Sequence, residues 1–581
     1  MPNLYGIDFT FRNLPENYRA DLTPLSDENG IKRIGVHFDI PENTIPDPVT
    51  LVFEIPLINM MTAYYPLIGQ FRQSRSLKPM WIPVTVESRV SGGEPLFSVI
   101  GHDENNSFTF TVDDVKTPIR IYASVIEETA RLRMKVEFFY FAPGVLSAYD
   151  TALRLDFRTV PYTDALHDAE AYLAEVSGAS PCYTPEEATY PMYSTWYSYH
   201  QKFDTEALIA ECREATKMGM HTIIVDDGWQ TDDNNRGYAY CGDWQITPNK
   251  IPDIHDLVSR IHALGMKVIF WYSVPFIGKH AALYPHFRDM LLDDPDNDWG
   301  MLDPRFPEVR EFLIGKYVEA VRDWHLDGLK LDFIDSFALS SFSKKDDPRM
   351  DYADLYAACD RLMTDVRTAV QNENPKVMIE FRQAYIGTAV QSYGNMFRVG
   401  DCPNDALTNR LSAMDMRLVM HRVAVHSDML MWHPDDTVES AARQLLNVFF
   451  TVPQISVRLS EIRPEHKKML DHYLSVWTQH RDVLLFGSFL PEGVDGSYTY
   501  LHMDDENEVF KIDFGKNVCR VGDRRPVTYL NVTSKKHIYL DLVDPRHVTV
   551  FAPDGSVTED RAYPAGIHVV SVPLSGMMTV R

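Results

Sequence analysis

Acidic residues recur in this chain directly after short runs of branched and aromatic residues: Asp226-Asp227 after HTIIV, Asp332 after GLKL and Asp401 after FRVG. Two carboxyl groups facing one pocket can carry out glycoside hydrolysis, one attacking or activating water while the other protonates the departing oxygen. Asp332 and Asp401 form the strongest pair. Alternation along KLDF sends Lys330 and Asp332 to the same face, so Lys330 is expected to hold Asp332 ionised, as a nucleophile requires. Asp401 follows Gly400 with Arg398 nearby. It suits a general acid if partial burial beside the ionised partner favours its protonated form. The alternative is a pair of structural salt bridges, Lys330 with Asp332 and Arg398 with Asp401. Asp405, one turn beyond its strand end, and Asp335, at an odd offset from Asp332, are poorer candidates.

Trp196, Trp229, Trp244, Trp271 and Trp432 fall at or near the same segment ends. Indole faces cover the apolar C–H face of a pyranose while carboxylates accept hydrogen bonds from its hydroxyls. A single Asp after a strand is as often a cap for the next helix. Three strands ending this way together indicate a sugar pocket. Arg382 adds a fixed cation to this acidic neighbourhood, and a buried guanidinium must find an anion. Glu380 or Asp332 would serve as internal partner; otherwise Arg382, with Gln383, would meet a hydroxyl or acidic substituent near C2 or C6 of the sugar. The run DDNN (232–235) lacks the ordered ligand spacing of a calcium loop, and the histidines form no HxH or HExxH pattern, so no metal site is expected.

The elements that must position these groups alternate between strand and helix. Strand patterns lie at 192–197, 221–227, 267–273, 328–333, 376–381, 397–401, 429–432 and 454–458, with helical periodicity at 204–218, 253–264, 307–324, 351–371, 407–425, 438–450 and 464–480. This predicts a (β/α)8 barrel, whose reactive groups sit at the carboxyl ends of the strands. Only 382–396 lacks a convincing helix. Before the barrel, period-two segments such as TLVFEI (50–55) and RMKVEFFYF (133–141) predict a β-sandwich, and the proline-bearing stretch 178–191 a linker. After it, strands such as GSYTYLHM and HVTVFAP predict a small C-terminal β-domain, with DVLLFGSFL (482–490) docking it onto the barrel. The expected division is an N-terminal β-sandwich over 1–180, a catalytic barrel over 190–481 and a C-terminal β-sandwich over 482–581.

A chain of 581 residues exceeds what one hydrophobic core usually supports, and 45% apolar with 24% charged residues is too apolar for disorder. The net charge of −26, with no basic tract, argues against nucleic-acid or anionic membrane partners. Six scattered cysteines without CxxC spacing read as reduced thiols. No signal-peptide pattern and no run of 18 apolar residues is present, so a soluble cytoplasmic protein is expected.

The segments HTIIVDDGWQ (221–230), GDWQITPNKIPDIHDLVSRIHALGMKVIFWYSVPF (242–276), DGLKLDF (327–333) and RVGDCPND (398–405) resemble glycoside hydrolase family 36, the α-galactosidase and raffinose-synthase group. RVGDC also resembles the acid/base segment of family 31, of the same clan. The resemblance covers roughly 190–460. It implies Asp332 as nucleophile and Asp401 as acid/base of a retaining mechanism. It further implies Asp226 and Asp227 as binders of O4 and O6 of an α-galactosyl unit, Trp244 as a wall of that subsite, and Lys330 and Arg398 as its polar contacts. Where family α-galactosidases commonly carry a Cys and Gly-rich segment after strand 5, this chain reads EFRQAYIG.

Together these readings describe a retaining, exo-acting α-glycosidase, with an α-galactoside as first choice of substrate and no cofactor or metal required. Asp332 and Asp401 would be catalytic, with Asp226, Asp227, Trp244, Lys330, Arg398, Trp196, Trp271, Arg382 and Trp432 binding substrate. The rivals are an α-N-acetylgalactosaminidase, a family-31-like α-glucosidase or α-xylosidase, a raffinose-synthase-like transglycosylase and, from another class, a catalytically silent carbohydrate-binding protein.

Overall fold

The computed structural model describes residues 2–66, 75–141, 144–383, 385–522 and 524–581. Two six-stranded antiparallel sheets form the N-terminal sandwich. Strand Arg131–Phe138 shows why they pack: its residues alternate between half-buried and buried. Leu132, Met134, Val136 and Phe138 thereby enter one core with Phe53, Phe110 and Leu153. A helix that the alternating pattern did not predict follows at Tyr162–Ser177, closed by Gly178 at φ 67°. Its Tyr162, Leu166, Ala169 and Leu173 fall at helical spacing and join the core of the barrel.

The barrel strands are, in order, Met192–Ser194, Thr222–Val225, Lys267–Ser273, Gly328–Asp332, Met378–Arg382, Met396–Arg398, Ala424–His426 and Gln454–Ile455. All neighbours in this sheet are parallel, with strand 1 lying between strands 8 and 2. Strands 7 and 8 meet only through the isolated bridges His426–Val452 and Leu430–Ile455, so the barrel is nearly closed. The fold expected from the sequence is present, with one correction. Strand 7 is Ala424–His426, paired with strand 6, and not the segment 429–432, in which Leu430 makes a single bridge. The helix before it stops at Arg417, short of the expected 425. Between strands 5 and 6 there is only one helical turn, Thr388–Gln391.

The C-terminal part contains a seven-stranded and a three-stranded sheet. Residues 481–486 form a short helix that buries Val483 and Leu484. Its last carbonyls are capped from the barrel, since Arg417 donates to Leu484 O (2.8 Å) and Leu485 O (3.0 Å) while also holding Phe450 O of the barrel (2.7 Å). No helix among the described residues is long and apolar enough to cross a membrane.

A buried polar knot joins the three parts. Arg75, between the sandwich strands Thr62–Tyr64 and Val84–Ser88, pairs with Asp415 of the barrel and donates to Tyr498 OH at 2.8 Å, while Tyr498 donates to Asp415 Oδ1 at 2.7 Å and Tyr64 to its carbonyl at 2.7 Å. The guanidinium lies 5.3 Å from the Tyr64 ring centroid and 5.2 Å from that of Tyr498. Removing one partner of a buried ion pair strands the other charge. Asp415→Ala is therefore expected to lower unfolding stability by about 3–5 kcal/mol, and Tyr498→Phe by only about 0.5–1.5 kcal/mol, in urea denaturation.

Candidate active site

Strands 2, 4, 5 and 6 deliver acidic and basic side chains to one pocket of about 180 Å³ at the carboxyl end of the barrel, lined by Trp196, Asp226, Asp227, Tyr238, Trp271, Lys330, Asp332, Phe333, Arg382, Arg398 and Asp401. That is below the ~300 Å³ at which drug-sized pockets begin. It suits a single glycosyl unit. Nine of the eleven candidate residues read from the sequence come together here.

Asp332 is the most constrained of them. Arg382 Nε lies 2.7 Å from its Oδ1, Tyr385 OH donates to the same oxygen at 2.6 Å, and Trp271 Nε1 donates to Oδ2 at 3.0 Å. The Phe333 amide adds a fourth bond to Oδ1 at 2.9 Å. Burial alone would raise the Asp332 carboxyl, but Arg382, then Lys330, and the bonds from Trp271 and Tyr385 outweigh it and hold the pKa down to about 2. Phe333 sits at φ 69°, a left-handed conformation costly for a bulky side chain. The strand ends at Asp332, so alternation no longer applies to Asp335, which lies in the 3-10 turn Ile334–Ser336 outside the pocket.

Lys330 does not pair with Asp332 as alternation suggested. It reaches across the barrel to Asp226 Oδ2 at 2.6 Å and lies 3.9 Å from Glu380 Oε1. The cation on Asp332 is instead Arg382, the internal solution for that residue. Strand register explains the exchange: Lys330 lies beside Glu380 on strand 5, while Arg382 lies beside Arg398 on strand 6 and needs an anion of its own.

Asp401 contrasts with Asp332 in exposure, its side chain being 39% accessible against 10%. Arg398 Nη2 donates to it at 2.9 Å, while Nη1 lies 2.5 Å from the buried Asp428. Burial acts to raise the Asp401 carboxyl, and Asp332 adds to this, but Arg398, Lys330 and Arg382 prevail and lower its pKa. The expectation that burial would favour the protonated form is therefore not met, because three cations face this acid. Asp405 caps the helix Ala406–Arg417 by accepting from Thr408 N at 3.0 Å, which is the structural alternative for an acid in this segment.

Asp226 and Asp227 are 3% and 2% exposed. Asp227 accepts from Gln201 Nε2 and Gln230 Nε2, each at 2.7 Å, and its pKa is pushed up to about 6, chiefly by burial. Two expected sugar contacts lie elsewhere. Trp244 is 1% exposed and absent from the lining; it backs Trp271 edge-on at 6.0 Å instead of forming a wall. Trp432 lies in a separate cleft with its Nε1 on His466 Nδ1 at 3.2 Å, because it follows a strand 7 that ends at residue 426.

Tyr238, Phe333, Tyr385, Gln201, Gln230 and Asp428 escaped the sequence reading. Phe333 was signalled by following KLD directly. Gln201, Gln230, Tyr238 and Tyr385 lie beyond the expected strand ends, where periodicity carries no information, and Asp428 precedes the segment 429–432 expected as strand 7.

Residues 186–370 match the Melibiase family model. A stretch of 157 residues is 28% identical to the bifunctional alpha-galactosidase/sucrose kinase AgaSK of Mediterraneibacter gnavus, covering 25% of this chain and 16% of that protein. Another of 174 residues is 24% identical to alpha-galactosidase Mel36A of Lactobacillus acidophilus, covering 28% and 23%. These matches therefore span under a quarter of the length of either relative. Among solved structures, the alpha-galactosidase of Lactobacillus brevis superimposes with TM-score 0.68 at 12% identity, over 99% of this chain and 85% of that one. The GH36 alpha-galactosidase AgaA of Geobacillus stearothermophilus gives 0.66 at 12%, over 97% and 81%. At such identity the superpositions speak for the fold, which is the same sandwich, barrel and C-terminal sheet. The Melibiase match within the barrel and these relatives support a likeness to glycoside hydrolase family 36 over that segment, and the superpositions extend the shared fold to nearly the whole chain.

Proposed function

We propose that this protein is a retaining, exo-acting α-galactosidase with Asp332 as nucleophile and Asp401 as acid/base. The observation that carries this reading is the asymmetry of the two carboxyls in one small pocket. Asp332 is buried, four times hydrogen-bonded and held ionised; Asp401 is half-exposed, on the side from which a leaving group or water can reach it. In the first step an Asp332 oxygen attacks the anomeric carbon, the glycosidic C–O bond breaks, and the Asp401 proton passes to the departing oxygen. In the second, Asp401 takes a proton from water as the water oxygen displaces the Asp332 ester, so two inversions restore the α configuration. A bound sugar excludes water and deepens the burial that acts to raise the Asp401 carboxyl, which favours the protonated acid. Formation of the ester removes the Asp332 charge and its repulsion of Asp401, which suits Asp401 to act as base in the second step.

Galactose as glycone is supported by the neighbouring buried carboxylates Asp226 and Asp227, which fit two hydroxyls on one side of a ring. The AgaA variants solved with raffinose and with stachyose extend the proposal to α-galactosyl oligosaccharides. The proposal includes the three-part division given above and, from six free, buried cysteines, a cytoplasmic location.

Turnover of aryl α-glycosides tests the reading. Asp332→Ala is expected to abolish activity on every substrate, whereas Asp401→Ala should regain activity with azide on activated aryl galactosides. Near wild-type rates in Asp332→Ala would overturn the assignment. A carboxyl separation of about 5–7 Å in a crystal structure agrees with retention, and about 9 Å or more with inversion.

Asp227 gives a pH prediction. Its carboxyl ionises at about 6, so the charge-assisted grip on substrate is complete above that pH and lost below it. The kcat/KM should fall about tenfold per pH unit below this inflection. Asp227→Asn should lack the inflection and lose about ten- to a hundredfold at neutral pH.

Because Arg382 is committed to the nucleophile, Arg382→Ala should raise the Asp332 pKa and reduce turnover equally on neutral, acidic and sulfated α-glycosides. A loss confined to anionic substrates would assign it to recognition instead.

A further inference from the structure

The catalytic segment after strand 5 is held from outside the barrel. Tyr385, which donates to Asp332, is followed by Ile386, Gly387 and Thr388, and all three meet one loop of the N-terminal sandwich. Gly93 N donates to Ile386 O at 2.8 Å. Glu94 accepts from Thr388 N (2.5 Å) and Thr388 Oγ1 (2.6 Å). Gly387 has φ +121°, and a Cβ there would lie 2.3 Å from Gly93 O and 2.7 Å from Glu94 Oε2, so the two segments meet where residue 387 can carry no side chain. From the same loop Arg89 Nη2 donates to Asp335 O at 3.0 Å, three residues beyond the nucleophile. Glu94 is 1% exposed, and both its oxygens are spent on Thr388. No ion pair to Glu94 occurs among the described residues; its charged neighbour is Glu170 of the helix Tyr162–Ser177. A buried carboxylate without a cation is costly, and its bonds go to a residue three positions from Tyr385.

We infer that Glu94 is a positioning residue of the active site: the N-terminal sandwich uses it to fix the 385–388 turn, and thereby Tyr385, against Asp332. The inference rests on the proposed hydrolase reading for its kinetic consequence, while the contact itself does not. Without the anchor, the one-turn helix Thr388–Gln391 is too short to hold its own entry rigid. Tyr385 would then leave the nucleophile part of the time, and the rate would fall while ground-state sugar binding, made on strand 2, persisted.

A double-mutant cycle tests this. Tyr385→Phe is expected to lower kcat about ten- to a hundredfold. Glu94→Ala should lower kcat about tenfold with KM within about twofold, and Glu94→Gln, which keeps an acceptor for Thr388 N and can donate to Thr388 Oγ1, should recover most of it. Glu94→Ala combined with Tyr385→Phe should be no slower than Tyr385→Phe alone, within about twofold, because both act through one contact. Hydrogen exchange measured by mass spectrometry gives a readout independent of turnover: peptides covering 385–392 should exchange faster in Glu94→Ala, with barrel strands 1 to 3 unchanged. Additive losses, an unchanged kcat, or faster exchange spread over the whole chain would overturn the inference. Should Glu94→Ala fail to fold, Thr388→Val, which removes one of the two bonds, enters the same cycle. If the wild-type protein turns over no α-glycoside, the hydrolase reading fails, and the exchange comparison alone decides the anchor.

Discussion

A chain of alternating charges crosses the mouth of the barrel, and the site depends on its order. Asp226 meets Lys330, Lys330 lies near Glu380, Glu380 lies 3.8 Å from Arg398, and Arg398 is shared between Asp401 and Asp428. Arg382 with Asp332 forms a parallel pair. Most of these groups are nearly inaccessible, and a buried charge is tolerable only when paired and hydrogen-bonded. Each cation here touches or approaches an anion on a different strand. The barrel therefore gains a fixed pattern of potential at the point where its strands converge, and removing any one member leaves a neighbour uncompensated.

This order also sets apart the two carboxyls proposed as catalytic. Asp332 receives donors from strand 3 (Trp271), strand 5 (Arg382) and the turn after it (Tyr385), so it is fixed in place and charged. Asp401 is bonded directly to one cation, Arg398, which is divided with Asp428 and lies near Glu380, while Lys330 and Arg382 act on it from further off. A group so loosely held can change protonation during a cycle, while its partner cannot easily do so. The left-handed Phe333 adds to the same constraint: it ends the strand at Asp332 and turns its amide back onto the carboxylate.

The surrounding parts support this centre instead of merely flanking it. The helix Tyr162–Ser177 shares the barrel core, Arg417 caps the first helix beyond the barrel, and the Arg75–Asp415–Tyr498 knot ties sandwich, barrel and C-terminal sheets through one buried carboxylate. The sandwich loop around Glu94 meets the turn that follows Tyr385.

The sequence by itself determined the barrel, because eight apolar runs separated by helical periodicity leave few other ways to bury both faces of a parallel sheet. It also determined which carboxylates stand at strand ends, since strand alternation and a following glycine or turn are local properties. Tertiary structure decided which cation serves which anion. Lys330 and Asp332 share a face of one strand, yet the lysine is long enough to cross to strand 2, and the neighbour of Asp332 on strand 5 claims it instead. Tertiary structure likewise withdrew Trp244 into the core and sent Trp432 to another cleft, because a short strand 7 moved the mouth of the barrel upstream of it. Tyr385 and Glu94 were invisible in the sequence for a related reason: they lie 291 residues apart in loops without periodicity, and only the meeting of two glycine-bearing turns brings them to the same segment.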